Sequence, residues 1–412
     1  MKTIFHIDVN SAFLSWSAVK RLKEDPNALD LRTVPSVVGG DRKTRHGIVT
    51  AKSIPAKKFG IKTADTVASA IQRCPDLIVI PADFTTYREY SRAFIKILKS
   101  YTDKVEQVSI DEAYLDATNL GDPIELAERI KAEIRDTLGF TVNVGISSNK
   151  LLAKMASDFS KPDKIHTLFI EEVPDKMWPL PIGELHGCGK KTSEKLQRFG
   201  ISTIGDAAST SLEVLQSILG EKGGEYIFNG SRGNSSDKVH TEHEEAKSYS
   251  NETTLPHDIT PDNYEAEMAQ VLKWLSEKVS ARLKKDGVFA KTIDVQVKTN
   301  TFHRRSIQTK LPDATNEADL IFKTATGLIE KLLLGENGVF RTETGIRLVG
   351  VGATDLDNGE YRQLDLFSYQ KEQEEAKLEK KAQKEKEDKL NAMADKIKGK
   401  FGEGAISKGY SR

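Results

Sequence analysis

Cysteine is nearly absent from this 412-residue chain, with Cys74 and Cys188 standing alone. Two widely separated thiols exclude a disulfide-dense scaffold and a cysteine-rich zinc cluster, and they suit a reducing compartment. No stretch approaches the ~20 apolar residues of a membrane-spanning helix. The opening MKTIFHIDVNSAF meets Asp8 before an export-type apolar run develops, so no signal peptide is expected. The expected location is the cytoplasm, with no membrane partner. Charge of one sign is also missing, because 61 basic residues balance 61 acidic ones. No global signature of nucleic acid follows, and such a partner must be met by local patches. What is present, 38% hydrophobic and 30% charged residues, fits a folded chain of several domains.

Thr3 to Val9 is a short β-branched and aromatic run that reads as a buried strand ending at an acid. SAFLSWSAVKRLKED predicts a helix, and PSVVGG and GIVTAKS predict short strands. Tyr87, Tyr90, Phe94, Ile97 and Tyr101 recur at helical spacing over 84–101, and Ile124, Ala127, Ile130, Ile134 and Leu138 do so over 124–138. VEQVSIDEAYLDAT reads as strand, turn, strand, and TVNVGIS as a further strand. LLAKMASDFSKP opens a helix that Pro162 should stop. Strands separated by long helices predict an α+β domain. Residues 169–234 read as short helices broken by glycines. Residues 246–354 follow the order βαββαβ, a sheet backed by two helices. Beyond them, 371–398 is a lysine- and glutamate-dense run with a weak apolar stripe, expected to be partly helical.

The sharpest local feature is Ser109-Ile110-Asp111-Glu112-Ala113, with Asp8 as a third carboxylate far upstream. Clustered carboxylates suit magnesium, a hard cation that takes oxygen ligands. Strand alternation puts Asp111 and Glu112 on opposite faces, so a turn is needed to aim both inward. Adjacent acids also mark ordinary solvent-facing turns, and Asp116 is a nearby competitor. HIDVNSAF at 6–13, SIDEAYLD at 109–116, VGISSNKLLAKMASDFSKP at 144–162, GCGKKTSEKLQRFGI at 187–201, TTLP at 253–256 and IRLVGVG at 346–352 occur in one order. That ordered set resembles the Y-family DNA polymerases, in the DinB or polymerase IV branch, over nearly the whole chain.

The resemblance implies a right hand of palm, fingers and helical thumb, followed by a βαββαβ little finger. The palm corresponds to 1–10 and 82–168, the fingers to 11–81 and the helix-hairpin-helix thumb to 169–234. A tether at 235–245 leads to the little finger at 246–354, and 355–412 holds a clamp-binding peptide and the charged tail. It makes Asp8, Asp111 and Glu112 the metal-binding triad, with the Val9 carbonyl as a further ligand and two Mg2+ ions per active site. The implied activity is error-prone translesion synthesis, in which a primer 3'-hydroxyl attacks a deoxynucleoside triphosphate and releases pyrophosphate. Lys161 matches the triphosphate-binding lysine. Lys57 stands where many relatives carry an arginine, and Ile54 where they carry a tyrosine. Phe13 aligns with the aromatic steric gate against ribonucleotides.

DNA contacts are expected at Gly187, Gly189, Lys190 and Lys191, whose backbone amides and ammonium groups suit a phosphate. Cys188 between the glycines reads as a hairpin side chain. Lys298, Arg304, Arg305 and Lys310 lie in a window, 296–311, without an acid. Alternation sends some of them toward DNA and others elsewhere. Arg347 either extends that grip or caps the sheet edge. Gln363, Leu364, Leu366 and Phe367 resemble the bacterial sliding-clamp peptide, although Leu366 and Phe367 can equally pin the tail to its own domain. The catalytic unit is expected to be monomeric. A nucleotide cyclase and a catalytically silent damage-site scaffold are the competing readings. The hairpin, little finger and clamp-like peptide argue against the first, and the complete carboxylate set argues against the second.

Overall fold

The computed structural model describes residues 2–40, 47–242, 245–342 and 345–358. The described residues fall into two compact units, divided between 245 and 246.

Strand β1 (Ile4–Val9) lies at the centre of the first unit's main sheet. The segment between β1 and its sheet partners carries β2 (Ser36–Gly39), β3 (Val49–Lys52) and β4 (Ile78–Ile80), a small sheet of order β3-β2-β4. The main sheet is completed by β5 (Val105–Gln107), β6 (Glu112–Asp116), β7 (Val142–Ser147) and β8 (Ile165–Thr167), in the order β5-β6-β1-β7-β8. Strand β1 runs antiparallel to both β6 and β7. Its alternation divides the work: Phe5, Ile7 and Val9 enter the main core with Phe94, Leu98, Ile130 and Ile134, while Ile4, His6 and Asp8 take the opposite face.

The core side is covered by helices Phe84–Tyr101 and Pro123–Leu138. Asp83 caps the first through the Thr86 N–H, and Asp122 caps the second through Ile124 and Glu125. Gly139, at φ 83°, ends the second in the left-handed region. The other face receives helix Lys150–Asp158, capped by Asn149. That helix lies directly on the strand backbone at Gly145, where an added Cβ would stand 2.0 Å from the Ala153 carbonyl oxygen and 2.4 Å from the Ser157 nitrogen. Of the three-residue strands, β4 and β8 escape the sequence pattern because three residues carry no readable period, whereas β5 is read from the longer VEQVSIDEAYLDAT segment.

Short helices at 173–231 follow, around a core of Leu152, Met177, Ile182, Leu196 and Leu215. The second unit has strands β9 (Ser248–Ile259), β10 (Phe289–Thr299), β11 (Arg304–Thr315) and β12 (Ile346–Asp357), in the order β11-β10-β12-β9. Helices Tyr264–Lys285 and Ala318–Leu334 bury Leu272, Leu275, Ile321 and Ile329 against Ile293, Val295, Val297, Val349 and Val351. This is the βαββαβ order that the hydrophobic pattern predicts.

Candidate active site

Asp8 pairs directly across the sheet with Glu112, the first residue of β6, so both carboxylates project from one face. Asp111 precedes the strand, in a turn closed by Val108 and Ser109 N–H groups donating to the Glu112 carbonyl at 3.1 and 3.3 Å. Its own carbonyl accepts from the Val9 N–H at 2.9 Å, and its Oδ1 accepts from Ser109 Oγ at 2.6 Å. The turn releases Asp111 from strand alternation. Burial raises its pKa, and the like charges of Asp8 and Glu112 add to the rise despite the Ser109 bond. Asp116 is sequestered elsewhere, buried and paired with Lys2 at 2.8 Å.

Three residues that sequence reasoning missed, His6, Lys154 and Asp158, lie around the carboxylates and the expected Lys161. His6 Nε2 lies 3.2 Å from Glu112 Oε2, and its Nδ1 lies 2.8 Å from Ser157 Oγ. Burial lowers the His6 pKa, outweighing the contact with Glu112 that raises it. The contact with His6, followed by the bond from Lys154, holds the Glu112 carboxyl down at about 2. Lys154 Nζ lies 2.8 Å from Glu112 Oε2 and 3.6 Å from Asp8 Oδ2. Lys161 Nζ lies 3.0 Å from Asp8 Oδ2 and 2.8 Å from Asp158 Oδ1. Burial pulls both lysines down in pKa, but the surrounding carboxylates outweigh it and leave both raised. The available signals were the one-turn spacing of Lys154 and Asp158, and the strand spacing of His6 and Asp8.

Among the described residues no three acid, imidazole or thiol groups form a closed metal-holding set. The donor chemistry nevertheless fits a hard divalent cation. Asp8 and Glu112 share a face, Asp111 feels both charges, and the positive charge this cluster needs is supplied here by two ammonium groups.

Phe13, half-buried in helix Ala12–Glu24, stacks on the buried Tyr87 ring with centroids 4.5 Å apart and planes 13° from parallel. Phe84 meets Phe13 edge-on at 5.9 Å. Lys57 is exposed in the short helix Ile54–Lys58, and Ile54 opens that helix, also exposed. Lys52 was missed: burial and then the charge of Lys57 lower its pKa, so two ammonium groups stand near one another in the β2–β4 region.

At the hairpin, Gly187 has φ 83°, and an added Cβ would stand 2.4 Å from Tyr226 Oη. Glycine is needed there on both counts. Gly189 caps helix Lys190–Gln197, which starts with the exposed Lys190 and Lys191. Cys188 is buried in the apolar core, consistent with a packing residue.

In the second unit Lys298 pairs across strands with Arg304, and Arg305 with Val297. Lys298 and Arg304 therefore share the open sheet face, whereas Arg305 belongs to the helix-covered side at the strand's end. The acid-free window does not isolate Arg304: its guanidinium donates to Glu252 on β9 at 3.0 Å and to Gln296 at 2.9 Å, reaching across Gly350. Lys310 likewise pairs with Asp355 at 3.4 Å. Phe302, at the β10–β11 turn, is 59% exposed. The Lys298 ammonium and the Arg347 guanidinium lie 4.7 and 5.2 Å from its ring, a cationic and aromatic tip that the charge pattern alone did not reveal. Gln363, Leu364, Leu366 and Phe367 lie outside the described residues.

Residues 7–158 match the impB/mucB/samB family, residues 246–366 its C-terminal domain, and residues 183–234 a DNA polymerase-iota thumb domain. The chain is 39% identical to DNA polymerase IV of Clostridium acetobutylicum, covering 98% of this chain and 97% of that relative. It is 37% identical to DNA polymerase IV 1 of Bacillus subtilis, covering 99% and 92% respectively. A solved Y-family DNA polymerase chimera is similar with a TM-score of 0.73 at 27% identity, covering 86% of this chain and 98% of that one. The ordered motifs, the carboxylates paired across one sheet and this full-length likeness have one explanation: the chain belongs to the Y-family DNA polymerases, in the DinB or DNA polymerase IV branch.

Proposed function

We propose that this DNA-directed DNA polymerase performs error-prone translesion synthesis, adding a deoxynucleotide to a primer 3'-hydroxyl and releasing pyrophosphate. The observation that carries the reading is the facing pair Asp8 and Glu112, with Asp111 delivered beside them by the turn. Asp8, Val9, Asp111 and Glu112 would hold two Mg2+ ions, which supply Lewis-acid stabilisation of the attacking and departing oxygens. The protein's own groups set the geometry. Lys154 and His6 fix Glu112, and Lys161 and Lys57 offer point charges to the triphosphate. Where relatives carry a tyrosine and an arginine, Ile54 and Lys57 provide neither a hydroxyl nor a guanidinium fork, so more of the grip rests on Lys161. Phe13, backed by Tyr87, presents a rigid wall to the sugar's C2'.

We assign the palm to 1–10 and 82–168, the fingers to 11–81, the thumb to 169–234, the tether to 235–245 and the little finger to 246–354. Gly187, Gly189, Lys190 and Lys191 would take a DNA phosphate. Lys298, Arg304 and Arg305 would take others, without reading sequence. Gln363–Phe367 would engage a bacterial sliding clamp. The enzyme would act as a cytoplasmic monomer. No helix among the described residues is long and apolar enough to cross a membrane. Primer extension with each deoxynucleotide supplied separately, on undamaged and lesion-bearing templates, tests the reading. A folded protein that extends no primer overturns it, and extension stopping at every lesion overturns its translesion part.

A further inference from the structure

Helix Lys150–Asp158 ends on a carboxylate, which opposes the negative end of the helix dipole. Two cations compensate it. Lys161 Nζ lies 2.8 Å from Asp158 Oδ1, and Lys154 Nζ lies 3.6 Å from its Oδ2. The same two ammonium groups reach Asp8 Oδ2, at 3.0 and 3.6 Å. Asp8, Lys161, Asp158 and Lys154 thus form a closed ring of alternating charge, in which only Asp8 belongs to the carboxylate triad. Asp158 is 47% exposed, and exposed pairs contribute little to stability. The ring is better suited to aiming a side chain than to holding the fold.

We propose that Asp158 is a positioning residue that fixes the Lys161 ammonium at the edge of the carboxylate cluster, ready for the incoming triphosphate. Lys161 shares its charge between two carboxylates. Were Asp8 engaged by a divalent cation, Asp158 would still hold the ammonium from the other side. A lysine side chain otherwise gives up much of its rotamer freedom on meeting a ligand. Asp158 imposes that restriction before the nucleotide arrives, which is how pre-organisation raises affinity. Lys154 sits deeper, 13% exposed and bonded to Glu112 at 2.8 Å, and closes the ring from the buried side. The proposal rests on the reading of Lys161 as the triphosphate-binding lysine.

Simple electrostatics makes the opposite prediction. Removing a negative charge near a triphosphate should tighten nucleotide binding, whereas losing the aim of Lys161 should weaken it. The experiment uses the full chain on primer–template DNA with a dideoxy-terminated primer and Mg2+, so that binding of the correct deoxynucleoside triphosphate is read without turnover. Asp158→Asn is expected to weaken binding roughly tenfold, the effect of one compromised charge-assisted hydrogen bond, with a melting temperature close to wild type. On an extendable primer, KM rises more than kcat falls. Asp158→Glu restores most of the affinity. Lys161→Met weakens binding by itself, and adding Asp158→Asn changes nothing further. Unchanged or tighter binding by Asp158→Asn, or losses that add in the double variant, overturns the positioning role while leaving Lys161 its own. Wild-type binding by Lys161→Met instead overturns the reading of Lys161, and the role of Asp158 falls with it.

Discussion

Replacing Gly145 by alanine probes the contact that seats helix Lys150–Asp158 on the sheet. The new Cβ would lie 2.0 Å from the Ala153 oxygen and 2.4 Å from the Ser157 nitrogen, against a practical minimum of 3.0 Å. Both obstacles are backbone atoms, so no rotamer change relieves them, and the helix must retreat by about 1 Å. Overpacking of this kind costs about 1–3 kcal/mol. The stiffer unfolded chain returns about 0.4–1 kcal/mol, leaving a net loss centred at roughly 1–2 kcal/mol. For a unit of this size that lowers Tm by about 2–8 °C. Activity should suffer more. Lys154 rides on the same helix, and a 1 Å retreat stretches its 2.8 Å bond to Glu112 beyond hydrogen-bonding range. Thermal melting and primer extension at a temperature well below the variant's Tm separate the two effects. A Gly145→Ala protein with wild-type Tm and wild-type kcat/KM would refute the close-packing argument.

Phe13→Ala should raise ribonucleotide insertion relative to deoxynucleotide insertion by roughly 5- to 150-fold, corresponding to about 1–3 kcal/mol of removed overpacking. An unchanged kcat/KM ratio for the two sugars would show that Phe13 is not the gate. Asp111→Asn or Glu112→Gln should lower insertion at least about a hundredfold while DNA affinity persists, and normal extension at the same Mg2+ concentration would sink the triad. Arg304→Ala with Arg305→Ala should weaken DNA binding alike on unrelated sequences, lowering the log–log salt slope by roughly 0.9 per lost phosphate contact. Glu252→Ala, which frees Arg304, should move affinity the other way, and an unaltered salt slope in both variants places the arginines outside the interface. Leu366→Ala with Phe367→Ala should weaken sliding-clamp affinity about thirtyfold, the effect of losing about 2 kcal/mol of apolar anchor, with clamp-free extension preserved. Loss of clamp-free activity as well would indicate that these side chains pin the tail to its own domain.

What the sequence disclosed and what it withheld follow from range. The long helices at 84–101 and 124–138 announce themselves because their apolar period repeats over several turns. The carboxylates Asp8, Asp111 and Glu112 sit in short motifs that can be read from their order along the chain. The pairing of Asp8 with Glu112 cannot be read so, because it depends on a register between strands more than a hundred residues apart. The same limit hid Glu252 from Arg304, since two intervening strands bring it into reach. His6 and Lys154 drew no assignment of their own from the sequence. The pairing of β1 with β6 brings His6 to Glu112, and the packing of helix on strand at Gly145 brings Lys154.

The central place of β1 has a consequence for how the enzyme is made. Its six residues, Asp8 among them, are translated before everything they pair with: β6 begins at Glu112 and β7 ends at Ser147. Until that later stretch has left the ribosome, β1 is an apolar strand with both edges unpaired, the kind of segment that invites association with other chains. The intervening small β2–β4 sheet, with its own core of Val37, Val49, Val67 and Leu77, completes its contacts by Ile80 and can assemble first. The nascent chain must therefore shelter its first strand while a finished module hangs beyond it. Only then does Asp8 come to face Glu112.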